Sequence, residues 1–299
     1  MRVESSRARS VAVLPRPFLK WAGGKQQLLP ALRAAAPSRF ERYIEPFLGG
    51  GALFFALAQE GRIPSEAGTA LLTDLNEELV TTYVEVRDDL GQLAARLGEL
   101  ETAYLEADTE ARASMFYAVR DETPATPLEV AARFIFLNKT CFNGLYRVNR
   151  SGRFNVPHGR YARPRILDRP TLEAASAALR DAELRTADFE ATCAGARRGD
   201  FVYLDPPFHP LSTTSSFTAY TRADFGREDQ LRLKWLIDEL TERGVAVVLS
   251  NSPHPWLVGL YEADRDRYRI ERIPARRAIN AQGTGRGAID ELLVTNFPH

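Results

Sequence analysis

One stretch indicates the fold of this chain: Phe201-Val202-Tyr203-Leu204-Asp205-Pro206-Pro207-Phe208. Its first four residues are apolar and predict a buried strand. The prolines end that strand, because proline lacks the backbone N–H that a sheet requires. In open α/β sheets, ligands bind where the strands end. Asp205, Pro206, Pro207 and Phe208 are therefore candidate site residues, and an ordinary turn after a strand is the alternative.

These four residues suit the chemistry of an exocyclic amine. Such an amine is a poor nucleophile, because its lone pair is conjugated with a heterocyclic ring. A carboxylate and a proline carbonyl can accept its two N–H groups and draw the lone pair out of conjugation, while an aromatic ring stacks on the base. Methylation of an adenine or cytosine amino group requires such a set.

Composition excludes several classes of protein. The chain has 299 residues, of which 44% are hydrophobic and 26% charged, as is typical of one large globular domain or two smaller ones. No apolar run approaches the ~20 residues of a transmembrane helix, so no membrane partner is expected. Residues 1–14 are expected to form a loose arm, since they lack the apolar stretch of a secretory signal. Cys141 and Cys193 form neither a metal-ligand pattern nor a disulfide framework, which favours a metal-free, cytoplasmic protein.

The net charge is zero, but the charges are segregated along the chain. Residues 76–122 contain 12 acidic residues and four arginines, whereas residues 133–165 contain eight basic residues and no acidic one. Local potential governs the binding of a polyanion, so the basic segment is a candidate nucleic-acid surface. A solvated basic face is the alternative, although aromatic and amide residues lie between the arginines.

The first part of the chain has the pattern of a nucleotide-binding unit. Residues 43–59 predict a short strand, a glycine loop (Leu48-Gly49-Gly50-Gly51) and a helix. Glycines at this place let the backbone approach a ligand near a helix N-terminus, although the spacing is not that of a dinucleotide-binding loop. Residues 70–73 predict the second strand, and Asp74 at its end is placed to accept from ribose hydroxyls. Capping of the helix that begins near Asn76 is the alternative role for Asp74.

The rest of the chain predicts an interrupted α/β domain. Residues 76–138 are helical and amphipathic, and residues 142–165 predict loops with a hairpin around Ser151-Gly152. Strands and helices then alternate, and residues 268–273 and 291–296 are expected to pair as antiparallel strands. We therefore predict a catalytic domain of residues 1–75 and 167–299 around a recognition domain of residues 76–166.

Four blocks of sequence resemble those of one enzyme family. They are Phe18-Leu19-Lys20-Trp21-Ala22-Gly23-Gly24-Lys25, Glu45-Pro46-Phe47-Leu48-Gly49-Gly50-Gly51, the segment from Phe142 to Gly159, and Asp205-Pro206-Pro207-Phe208. Together they resemble the Dam-type (D12 class, α-group) DNA adenine-N6 methyltransferases over residues 18–294. One position departs from the family pattern: Phe208 stands where the family usually has tyrosine, so the ring is kept and the hydroxyl is lost.

The resemblance implies a Rossmann-like methyltransferase fold with a mostly helical DNA-recognition insertion, and S-adenosyl-L-methionine as methyl donor. The implied cofactor contacts are Trp21, Lys25, Phe47, Gly49, Asp74 and Asp205. Lys25 would meet the methionine carboxylate, Asp74 the ribose and Asp205 the target amine. No metal is implied, because the sulfonium is already activated and the enzyme has only to position the amine.

The implied substrate is double-stranded DNA, from which the target base flips out because its amine is paired inside the duplex. Phe208 would stack on that base, and Phe217 and Tyr220 would help to close the site or pack locally.

Sequence recognition is expected within the basic segment. Arg147 is the candidate for a bidentate guanine contact, Leu145 for a thymine-methyl contact and Phe142 for a wedge between base pairs. The other candidate DNA contacts, chiefly to phosphates, are Asn143, Arg150, Arg153, Asn155, Pro157, Arg276 and Arg277. For each arginine, a non-specific surface role is the alternative.

Several alternatives stay open. A cytosine-N4 DNA methyltransferase or an RNA adenine methyltransferase would use the same amine chemistry, and the departure at Phe208 leaves room for them. A catalytically inactive DNA-binding homologue is a third alternative, against which the intact Lys25, Asp74 and Asp205 argue. GATC is the expected recognition site, a restriction endonuclease is a candidate partner, and a monomer is expected in solution.

Overall fold

The computed structural model describes residues 13–21, 23, 25–149, 151–208, 225–276 and 288–297, without the side chains of residues 275, 276, 288 and 289. Within these residues, one sheet contains the strands β1 (Arg42–Glu45), β2 (Ala70–Asp74), β3 (Ala182–Thr186), β4 (Asp200–Leu204), β5 (Ala246–Asn251), β6 (Arg269–Arg276) and β7 (Ala288–Thr295). Their order is β3-β2-β1-β4-β5-β7-β6. The first five strands are parallel, and β7 runs antiparallel to both of its neighbours.

Helices cover both faces of this sheet. They are α1 (Leu29–Ala35), α2 (Ala52–Gln59), α3 (Glu77–Asp88), α4 (Leu90–Glu106), α5 (Thr109–Asp121), α6 (Pro127–Thr140), α7 (Arg169–Leu179), α8 (Phe189–Cys193), α9 (Arg227–Glu242) and α10 (Pro255–Glu262). The helical run predicted over residues 76–138 is confirmed as α3 to α6, whereas no sequence prediction covers α1, α8 and α10. Among the helices described, none is long and apolar enough to cross a membrane.

The central strands are apolar because both of their faces are covered. Tyr43 and Phe201 point into the core that contains α1 to α7, and their neighbours Ile44 and Val202 point into the core under α9 and α10. Strands buried on both sides read as continuous apolar runs rather than alternating ones. The α/β, Rossmann-like fold expected from the sequence is confirmed, and so is the antiparallel pairing of β6 with β7.

The first helix of the inserted region, α3, also packs against the sheet of the catalytic domain. Helix α3 packs against β2, β3 and α7, and it packs against α6 of the insertion as well. The domain boundary after residue 75 therefore stays a prediction.

The hairpin predicted at Ser151-Gly152 is confirmed. The Asn149 N–H donates to the Arg153 carbonyl at 2.8 Å, and the Asn155 N–H donates to the Arg147 carbonyl at 3.0 Å. Gly152 takes the turn with φ +78°, a conformation that favours glycine.

Candidate active site

The site forms along the edge where the parallel strands end. Strands β1, β2 and β4 reach this edge at Glu45, Asp74 and Asp205. Because β7 is antiparallel, its first residues lie at the same edge, and they bring Glu291 there. Carboxylates from distant parts of the chain therefore share one small region.

Asp205 is held through one of its two carboxylate oxygens. Its Oδ1 accepts from Lys25 Nζ at 2.9 Å and from Ser250 Oγ at 2.9 Å. Since the single proton of Ser250 is used in this bond, the Tyr203 hydroxyl donates to Ser250, at 3.0 Å. No hydrogen bond reaches Asp205 Oδ2 from any residue that the structure describes, so this oxygen can accept from a substrate.

Lys25 is the buried cation of the site. Its side chain is 4% exposed, and its Nζ lies 2.9 Å from Asp205 Oδ1 and 3.6 Å from Glu291 Oε2. It also donates to the Gly23 carbonyl at 3.0 Å and lies 4.4 Å from the centre of the Phe208 ring. Sequence reasoning missed the pairing of Lys25 with Asp205 and missed Glu291 altogether. The one available signal was an acidic residue at the start of a strand expected to be antiparallel.

Burial dominates the electrostatics of these carboxyl groups. Burial raises the pKa of both Asp205 and Glu291, and the positive charge of Lys25 opposes this rise in each case. Burial likewise raises the pKa of Glu45 well above its ordinary value, although Tyr43 donates to Glu45 at 2.9 Å. The Lys25 ammonium thus faces two desolvated carboxyl groups, Asp205 and Glu291, and the region attracts hydrogen-bond donors.

Two buried amides hold the Pro207 carbonyl in place. Gln230 Nε2 donates to the Pro207 carbonyl at 3.3 Å, and Asn251 Nδ2 donates to Gln230 Oε1 at 3.0 Å. The Pro206 carbonyl receives no hydrogen bond within the described part of the chain. It is therefore the proline acceptor that an incoming amine can use.

The glycine loop is tied to the second strand by Asp74. The Gly49 N–H donates to Asp74 Oδ2 at 3.0 Å, and the Asn76 N–H donates to Asp74 Oδ1 at 3.0 Å. Helix α3 is capped by Asn76, whose side chain accepts from the Leu79 N–H at 3.1 Å. Helix capping by Asp74, the alternative considered for it, is therefore not seen.

The other expected cofactor residues lie around this loop. Gly49 has φ +46°, and a Cβ there would lie 2.7 Å from Trp21 Cδ1, so only glycine fits under the indole. Phe47 stacks on Phe189 with centroids 5.5 Å apart. Leu75, which sequence reasoning missed, is 63% exposed immediately after Asp74. An acidic acceptor at the end of β2 and an exposed apolar side chain beside it fit an adenosine-bearing cofactor.

The described residues that we expect to contact DNA lie on the hairpin and on the turn before it. Arg147 is exposed, and its Nε donates to Asn155 Oδ1 at 2.7 Å. Phe142 is 51% exposed, whereas Leu145 is half-buried against the core. The remaining described candidates, Asn143, Arg153, Asn155 and Pro157, are exposed or half-buried. Five predicted contacts lie outside the described residues or side chains: Arg150, Phe217, Tyr220, Arg276 and Arg277.

Two basic residues of the segment do not belong to its surface. Arg133 is buried, pairs with Glu78 at 3.2 Å and donates to the carbonyls of α5. Lys139 donates to the Phe18 carbonyl at 2.5 Å. Arg133 holds helices of the insertion together, and Lys139 connects the insertion to the N-terminal segment, so the basic surface begins at Arg147.

Comparison with known proteins agrees with this arrangement. A family model described as D12 class N6 adenine-specific DNA methyltransferase matches residues 21–279. The chain is 41% identical to the type II methyltransferase M.MjaIII of Methanocaldococcus jannaschii, over 94% of this chain and 99% of that protein. It is 40% identical to the type II methyltransferase M1.LlaDCHI of Lactococcus lactis subsp. cremoris, over 94% and 95% of the two chains. It is 33% identical to the DNA adenine methylase of Escherichia coli K12, over 95% and 96%.

Proposed function

The chain belongs to the D12 class of N6 adenine-specific DNA methyltransferases, and on that premise we propose that it methylates the N6 amine of an adenine flipped out of duplex DNA, with S-adenosylmethionine as donor. One observation carries the proposal. Asp205 has one oxygen held by Lys25 and Ser250, while the other has no partner among the residues described.

The amine is activated by two acceptors. Asp205 Oδ2 takes one N–H of the target amine, and the Pro206 carbonyl takes the other. This geometry turns the nitrogen lone pair away from the base and toward the methyl donor. Lys25 and Ser250 prevent the carboxylate from rotating, and the Phe208 ring, which is 37% exposed, stacks on the flipped base.

The cofactor is held by residues of the glycine loop and second strand. Asp74 accepts from the ribose, Leu75 and Phe47 offer apolar contact, and Gly49, packed under Trp21, shapes the loop beside the ligand. S-adenosylmethionine, when bound, supplies a methyl group activated by its sulfonium. Direct contact of Lys25 with the methionine carboxylate stays a prediction, since its three donors face Asp205, Glu291 and Gly23.

The hairpin reads the DNA. Arg147 reads a guanine, and exposed basic and polar side chains around it contact phosphates. GATC is the proposed site. Relatives named type II methyltransferases support the further prediction of a cognate restriction endonuclease. A monomeric, cytoplasmic enzyme is part of the same proposal.

The test is to identify the methylated nucleoside. The protein is incubated with S-adenosylmethionine and either duplex DNA or RNA, and the digested product is analysed by mass spectrometry. We expect N6-methyladenine from DNA, abolished by Asp205→Asn and unaffected by the exposed control Asp181→Asn. N4-methylcytosine or methylated RNA would establish an alternative target, and DNA binding without any product would indicate an inactive homologue. Methylation-aware sequencing of DNA from expressing cells would give the recognition site.

A further inference from the structure

Glu291 occupies a place that the proposed mechanism does not use. It lies near the beginning of β7, directly before Leu292, which pairs with Asn251 at the end of β5. Its side chain is only 21% exposed, and its Oε2 is a buried oxygen that receives no hydrogen bond from the described part of the chain. A buried acceptor without a hydrogen bond is rare enough in proteins to need an explanation.

The ammonium of Lys25 lies 3.6 Å from this oxygen. That ammonium is also bound to Asp205 Oδ1 at 2.9 Å and to the Gly23 carbonyl at 3.0 Å. Two carboxylates therefore share one cation, and the closer of them is the catalytic one. A buried charge of this kind is tolerated only when it is paired and hydrogen-bonded.

We propose that Glu291 is a positioning residue, which acts on Asp205 through Lys25. It draws the Lys25 ammonium toward β7, so that the cation fixes Asp205 without fully cancelling its negative charge. Asp205 Oδ2 then stays a strong acceptor for the target amine. This inference rests on the proposed role of Asp205 in methyl transfer.

The consequence of removing the Glu291 charge follows from the geometry. With glutamine at position 291, Lys25 would form an exclusive ion pair with Asp205, and the carboxylate would become a weaker acceptor. Among the residues that the structure describes, the charged and titratable groups that face Asp205 are Lys25 from the N-terminal segment, Tyr43 and Glu45 from β1, Tyr203 from β4 and Glu291 from β7. Loss of one negative neighbour lowers the pKa of Asp205.

The experiment compares Glu291→Gln with Glu271→Gln, a glutamate of the adjacent strand β6 that pairs with Arg269 at 2.9 Å. Single-turnover rates of N6-methyladenine formation are measured as a function of pH, together with KM for duplex DNA. For Glu291→Gln we expect a rate reduced about tenfold, an unchanged KM for DNA and an acidic limb moved to lower pH. Glu271→Gln should match the wild type in all three.

A second measurement separates positioning from a purely structural role. If Glu291 acts through Lys25, then Glu291→Gln should cost little in the background of Lys25→Met, where no ammonium is present. Additive losses, or an acidic limb that does not move, would overturn the proposal. Should Glu291→Gln fail to fold, Glu291→Asp is measured instead. Because this variant keeps the charge, the acidic limb should stay at its wild-type pH while the rate falls, and a shifted limb would contradict the proposal.

A wild-type protein that forms no N6-methyladenine would refute the proposed function itself, whereas an active wild type matched by Glu291→Gln would refute only this inference.

Discussion

The indole ring of Trp21 stacks on the phenol ring of Tyr146, with centroids 5.5 Å apart and planes inclined by 22°. Phe134 of α6 packs against both rings, 6.3 Å from Trp21 and 5.2 Å from Tyr146. Trp21 also covers Gly49 of the glycine loop, and Tyr146 directly precedes Arg147 of the hairpin. The two rings therefore connect the predicted cofactor loop to the predicted DNA-reading hairpin.

The first prediction concerns the energy of this stack. Trp21→Leu and Tyr146→Leu should each lower the free energy of unfolding, and a double-mutant cycle in urea should give a coupling of about 0.5–1.5 kcal/mol. The matched pair is Trp21→Leu with Tyr117→Leu, because Tyr117 is an exposed aromatic residue of α5. That pair should be additive, and a zero coupling for Trp21 with Tyr146 would show that the stack contributes nothing.

The second prediction concerns Gly49. Gly49→Ala should cost about 1–2 kcal/mol for the left-handed backbone alone, and more because the new Cβ would collide with the Trp21 ring. Gly61 is the control, since it has φ +65° but open space around its Cβ. Gly61→Ala should show the backbone cost only and leave cofactor affinity unchanged. Equal losses in the two variants, measured by urea unfolding and calorimetric cofactor binding, would mean that Trp21 can move aside.

The third prediction separates Asp74 from the helix cap. Asp74→Asn should weaken cofactor binding by about 1–3 kcal/mol, the value of a charge-assisted hydrogen bond. Asn76→Ala removes the cap of α3 and should cost about 1 kcal/mol of stability with a smaller effect on cofactor affinity. Calorimetric titration and thermal unfolding of both variants distinguish the roles. An unchanged dissociation constant for Asp74→Asn would mean that Asp74 does not bind the cofactor and only holds the glycine loop.

The fourth prediction concerns DNA specificity. Arg147→Ala should relax discrimination at one guanine by about 1–3 kcal/mol. Asn155→Ala should relax the same position by less, because Asn155 holds Arg147 Nε at 2.7 Å but leaves the guanidinium in place. The measurement is the ratio of kcat/KM on the cognate duplex and on duplexes altered one base pair at a time. The exposed Arg180, at the C-cap of α7, provides the control variant Arg180→Ala. A uniform slowing of all duplexes would make Arg147 a phosphate contact.

The fifth prediction concerns pH. Burial lowers the pKa of Lys139 from 10.5 to about 8. Between that value and its unfolded pKa of about 10.4, the unfolded chain binds a proton that the folded chain has released, so stability rises with pH. The free energy of unfolding of the wild type, compared with Lys139→Met, should therefore improve from about pH 8 to about pH 10. A difference that stays constant over this range would show that Lys139 is ordinarily solvated.

Much of the fold could be predicted from local sequence. The apolar runs at β1, β2, β4 and β5 have the length and composition of buried strands, and the helices α3 to α6 follow from amphipathic periodicity. The Asp-Pro-Pro-Phe block predicts an amine-binding site from local sequence, because all four of its residues are adjacent. The short helices α1, α8 and α10 escaped prediction, since elements of one or two turns are stabilised by packing rather than by their own sequence.

The sequence by itself determined the strand ends, the glycine loop and the hairpin, and it predicted Asp205 as the acceptor, because each depends on neighbouring residues. Only the tertiary structure decided that Lys25, Asp205 and Glu291 meet, and that Trp21 lies on Tyr146. The contacts among Lys25, Asp205 and Glu291 depend on the order of strands in the sheet and on the antiparallel direction of β7. That direction brings the beginning of β7 to the edge where β4 ends. Such contacts between distant parts of the chain form only when the whole sheet is assembled. Burial in that assembly strengthens the ion pairs that the Lys25 ammonium forms with the two carboxylates.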